Sequence, residues 1–146
     1  MEKKLTPAQI VILAAGAVAF IASFLPWLDF DFGNTSSTVS AWGSGAFPTY
    51  TWVGIIGLVM ALAVGLPAFT NVNLPQAVMG FTWVQLHLIL GFIATLIAIS
   101  FLIVDKGSYD IGIGGWLGIL AGVALLVGAV MLQREPTTTA AGGDIV

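Results

Sequence analysis

Four stretches of about twenty residues, none containing Asp, Glu, Lys or Arg, fill most of this 146-residue chain. About twenty apolar residues in a helix cross the roughly 30 Å hydrocarbon core of a bilayer. A charge at the midplane would cost about 2.5–3.5 kcal/mol. Only 8% of the residues are charged and 58% are hydrophobic, where a soluble domain carries about 25% charged residues. Lipid is therefore the expected solvent for most of the surface. The expected fold is an all-α membrane protein with a small β-hairpin in its first outer loop. One domain over 1–136 is a four-transmembrane-helix bundle, with helices at about 7–26, 49–69, 81–104 and 112–132, and 137–146 is a flexible tail.

The punctuation agrees with these spans. Thr6 suits the cap and Pro7 the first turn of the first helix. The run from Ile10 to Leu25 has a basic start, like a secretory signal. It flows straight into Pro26-Trp27 without a polar cleavage region, so it is expected to be retained. Asp105-Lys106-Gly107 stops the third helix, and Gln133-Arg134-Glu135-Pro136 stops the fourth. Lys3, Lys4 and Arg134 fall on one side of an even number of spans and Lys106 on the other. That bias predicts a multi-pass plasma-membrane protein with both termini cytoplasmic. Loops 27–48 and 105–111 then face outward and 70–80 inward. Trp27, Trp42, Tyr50, Trp52, Tyr109 and Trp116 near the outer ends, and Trp83 near the inner end, suit interfacial aromatic belts.

The longest break, 26–49, carries the most local pattern. Leu28, Phe30 and Phe32 alternate with Trp27, Asp29 and Asp31, as in a half-buried strand. Gly33-Asn34 suits a two-residue turn, and the β-branched and small residues of TSSTVSAW follow. With that turn, Phe32 faces Thr35, Phe30 faces Ser37 and Leu28 faces Val39. Asp29 and Asp31 then face water or a partner. Two carboxylates are too few oxygen ligands for a hard cation. Trp27, Asp29, Phe30, Asp31, Phe32 and Trp42 are the candidate partner-binding residues. A lone ribbon is marginal in water, so it needs the bundle beneath it or a partner above.

Membrane helices associate through close backbone contact. Gly57, Ala61 and Gly65 in the second helix, and Gly114, Gly118 and Gly122 in the fourth, offer small faces at four-residue spacing. Ala15, Ala19 and Ser23, and Ala94 and Ala98, do the same in the first and third. These faces are expected to pack within the chain, or alternatively to seam a homo-oligomer. WVGIIGLVMAL at 52–62 also aligns with WLGILAGVALL at 116–126, which suggests two similar hairpins.

Chemistry is sparse. With no cysteine there is no thiol nucleophile, thiolate metal site or disulfide. No basic run points to nucleic acid, and no phosphate-loop, zinc or haem motif occurs. No metal and no cofactor are expected. The single histidine, His87, lies early in the third helix with Gln85 nearby. An ionisable residue there marks a possible polar site, although a neutral ring bonded to a neighbouring helix or water explains it as well.

Phe24-Leu25-Pro26-Trp27, Ser40-Ala41-Trp42-Gly43 and Gly112-Ile113-Gly114-Gly115-Trp116-Leu117 together resemble small four-helix membrane proteins of bacteria, especially actinobacteria. The layout is also similar to that of claudin-like proteins, without their paired loop cysteines, so no junction function transfers. The resemblance implies a membrane fold and supplies no catalytic residue. The expected role is non-enzymatic: an accessory or assembly subunit, or a self-associating scaffold, presenting 26–49 outward. Its expected partners are the lipid bilayer and either another protein or a second copy. The alternative is a small transporter or channel with a pathway near His87.

Overall fold

The computed structural model describes residues 5–31, 33–34, 36–42, 50–104 and 109–135, and of Tyr109 the backbone alone. Lys3, Lys4, Phe32, the stretch 43–49, Asp105, Lys106 and the tail at 137–146 lie outside them. The elements run α1 (Pro7–Ala22), β1 (Pro26–Asp31), β2 (Ser36–Ser40), α2 (Thr51–Phe69), β3 (Ala77–Val78), β4 (Phe81–Thr82), α3 (Trp83–Ile103), β5 (Tyr109–Ile111) and α4 (Ile113–Arg134). The chain is thus mostly helical with a small antiparallel sheet. The helices α2, α3 and α4 are long and apolar enough to cross a membrane.

The first helix is shorter than its apolar run, 16 residues where the sequence suggests 7–26. Pro26 is the reason. It has no N–H to give the Ala22 carbonyl, and proline disfavours helical backbone at the residue before it. The chain leaves α1 through a tighter turn, Leu25 N–H bonding Ala22 O at 3.0 Å. The Trp27 indole N–H then donates to the same Ala22 oxygen at 2.8 Å, replacing the donor that proline lacks. At its other end α1 has the expected cap. Thr6 Oγ1 accepts from Gln9 N, and Gln9 Oε1 accepts from Thr6 N.

The small-residue faces pair off as membrane helices require. Helix α1 packs on α2 and α4, and α3 on α4, while α2 and α3 touch sparsely. A Cβ on Gly57 would meet the Ala19 methyl and Gly16 backbone of α1, and one on Gly65 would meet Leu13 at 3.3 Å. The Ala61 methyl lies against Gly16. On α4, Gly114 faces the Leu25 and Ala22 carbonyls, Gly118 the Trp27 ring, and Gly122 Ala94 and Ala98 of α3. Both glycine runs are therefore taken up inside the protomer. Trp52 and Trp116, matched in the internal alignment, occupy the first turns of α2 and α4 and are 50% and 49% exposed.

The sheet has the order β2-β1-β5. Leu28 pairs with Val39 and Phe30 with Ser37, the expected register. Gly33, at φ 92°, supplies the positive φ that the first position of a type II′ turn needs. The third strand was not expected. Leu28 pairs with Ile111 and Asp29 with Asp110, so both loops at this end form one sheet instead of a lone ribbon. A second, two-stranded hairpin at the opposite end, where 70–80 read as plain loop, turns on Met79 and Gly80, both at positive φ.

Candidate functional site

Two features stand at opposite ends of the bundle. The first is the sheet, locked down by Trp27. The register of β1 shifts between Pro26 and Leu28. Such a bulge re-aims a side chain, and here it turns both Trp27 and Leu28 toward the core. The Trp27 ring stacks on Tyr50 at 5.8 Å and meets Phe101 edge-on at 5.1 Å, with Gly118 leaving room for it. Its backbone carbonyl accepts from Gly112 N at 2.8 Å, fastening the start of α4. Trp27 therefore joins four elements. It is fully buried, which corrects its placement among outward, partner-facing residues and among the interfacial anchors.

The other outer-loop candidates divide. Leu28, Val39 and Ile111 share the bundle-facing side and pack on the core. Asp29, Thr38 and Asp110 form one cross-strand row on the other face. Asp31 is exposed, and its Oδ1 accepts from Gly33 N at 2.9 Å, closing the hairpin turn. Asp29 and Phe30 are half-buried. Trp42 is exposed but tethered. Its ring stacks on Phe24 at 5.6 Å, and its Nε1 donates to Ser23 Oγ at 3.0 Å. Ala41 is bonded on both sides, its N–H to Ser23 O and its carbonyl to the Thr51 hydroxyl. The strand end is thus tied to α1 and α2 together.

The second feature is a pocket of about 540 Å³ where α2 and α3 diverge, walled by Leu5, Gln9, Val64, Pro67, Trp83 and His87 among others. It sits where α1 begins and α4 ends, a junction held by Glu135 accepting from Ala8 N at 3.2 Å. A carboxylate there also complements the positive end of α1. His87 shares the packed face of α3 with Gly91, Ala94 and Ala98 and is 3% exposed. Its Nδ1 has no hydrogen-bond partner.

No family model, curated protein or solved structure matches this chain. Its possible chemistry rests on its own geometry. Gln85, paired with His87 in the sequence reading, caps α3 instead. Its Oε1 accepts from Thr82 N at 2.9 Å, and its own N–H is taken by Thr82 Oγ1. Residues two apart on a helix point about 200° apart, so Gln85 is exposed while His87 is buried. Among the described residues no group of three His, Cys, Asp or Glu is placed to hold a metal. The pocket was not expected, although His87 marked its place.

Proposed function

We propose that this chain is a non-enzymatic four-span protein of the plasma membrane that serves as an accessory or assembly subunit. It presents the sheet β2-β1-β5 to another membrane protein on the outer side. The observation that carries this reading is the sheet itself. Two separate loops combine into one surface, an indole plug fixes that surface to the bundle, and a polar row of Asp29, Thr38 and Asp110 is turned away from it. Holding loops in one conformation lowers the ordering cost of binding a partner. The four-crossing topology adds α1 as a short first span. Its 16 helical residues reach about 24 Å, and the hydrogen-bonded turn to Leu25 extends it. The orientation rests on Lys3, Lys4 and Arg134 against Lys106. Self-association would have to use lipid-facing sides, since the glycine faces are occupied within the protomer.

A second reading, a small carrier or channel, draws its support from the pocket at His87. The rings of Trp27, Tyr50 and Phe101 fill the bundle toward the sheet end, which weighs against a conduit from face to face.

The leading reading is checked with a photo-cross-linking residue at Asp31 or Ser37, and at Gln76 as a control. A discrete, near-stoichiometric heterotypic adduct from the sheet positions, and none from Gln76, is the expected outcome. A clean monomer in mild detergent with no adduct from either sheet position would contradict it.

A further inference from the structure

The least settled polar group among the described residues is the His87 ring. A buried hydrogen-bonding atom left unpaired costs about 1–3 kcal/mol, and native proteins pair nearly all such atoms. Here Nδ1 is enclosed and without a partner, while the ring forms part of the wall of the pocket of about 540 Å³. A buried orphan N–H is rarer than an under-satisfied acceptor. The better tautomer therefore leaves the lone pair on Nδ1 and puts the proton on Nε2. The ring then carries a hydrogen-bond donor in a wall that is mostly apolar, with Leu5, Val64, Pro67 and Trp83, and that has Gln9 and Asn73 as its other polar residues.

Among the described residues no Asp, Glu, Lys or Arg lines this pocket, and an unpaired ion buried against them would be heavily penalised. The volume lies within the roughly 300–1,000 Å³ of small-molecule sites, and an apolar lining with a few polar groups is their usual make-up. The Trp83 indole N–H donates to Pro75 O at 2.7 Å, so the wall is braced against the loop before β3. The pocket opens where α2 and α3 separate, at the end of the spans, where bilayer lipids bring their carbonyl groups.

We infer that this pocket binds an uncharged amphiphile, an apolar body bearing a carbonyl or ester oxygen that accepts a hydrogen bond from His87 Nε2. Bilayer lipids and free ketone or quinone molecules share that chemistry. This inference is independent of the role assigned to the sheet.

The chain has one histidine, so ¹⁵N-histidine labelling of the full-length protein gives a single imidazole resonance pair. The protein is placed in nanodiscs of ether-linked phospholipid, which carry no ester carbonyl. They are titrated separately with dioctanoylglycerol and with a methylated naphthoquinone. At least one probe is expected to shift the Nε2 resonance saturably. The diacylglycerol doing so assigns a lipid, the naphthoquinone a free molecule, and if both do, the tighter one identifies the source. Calorimetry should show at least tenfold weaker binding of that probe to His87→Phe and none to Val64→Trp, which fills the cavity. No saturable shift from either probe overturns the inference. So does binding to both variants within twofold of the parent. If His87→Phe does not fold, the resonance of the unaltered protein and the Val64→Trp titration decide.

Discussion

Alanine at Trp27 is expected to destabilise the protein more than any other tryptophan truncation, by about 3–5 kcal/mol for the cavity. A further loss comes from the Ala22 carbonyl, left without its indole donor. The ring is fully buried between Tyr50 and Phe101, and the surrounding helices are held apart by their own backbones, so the site collapses poorly. Unfolding in mixed micelles by SDS titration measures the effect. Trp52→Ala is the control, since Trp52 is half exposed in the first turn of α2, and it should cost under about 1 kcal/mol. Equal losses for the two variants would mean that Trp27 is an interfacial anchor after all. The sheet should loosen with Trp27→Ala, because the ring that holds β1 against Tyr50, Phe101 and Gly118 is gone.

Leucine at Gly57 is the second large effect. A Cβ there would meet the Ala19 methyl at 2.7 Å and the Gly16 oxygen at 3.0 Å. The opposing group at Gly16 is backbone and cannot rotate away. Overpacking of a tight site costs about 1–3 kcal/mol and more when nothing yields, so Gly57→Leu should sit at or above the top of that range. The expected readout is a large drop in folded protein after detergent extraction, with α1 separated from α2. Val59→Leu, on the exposed side of α2, should leave the yield unchanged. Full yield from Gly57→Leu would show that α1 and α2 do not meet at this face.

The two experiments also show where the sequence was legible. Length and the absence of charge located α2, α3 and α4, the helices long and apolar enough to cross a membrane. The alternation around Gly33-Asn34 set the hairpin register, because a one-residue slip would put Asp29 and Asp31 against the bundle. The small-residue runs marked packing faces but not which faces meet. Trp27 was misplaced because strict alternation puts it opposite Leu28, and only a bulge lets both face inward. Pro26 held the available signal: it strips Ala22 of a donor that the next residue can replace. The strand β5 spans three residues, too few for alternation to register. Met79-Gly80 lacks the Asn-Gly or Asp-Gly signature of its turn, so that hairpin was also silent. His87 stood out as the single histidine of the chain, set within an apolar run. The pairing with Gln85 followed sequence distance where helical phase decides.

The account turns on the sheet lying outside the cell with both of its loops on that one side. The chain has no cysteine, so single cysteines at Ser37, Asp110 and Gln76 can be probed in intact cells with a membrane-impermeant maleimide. Labelling of Ser37 and Asp110 without permeabilisation, and of Gln76 only after it, is the predicted result. Ser37 or Asp110 reacting only after permeabilisation, or the two reacting from opposite sides, would contradict the account.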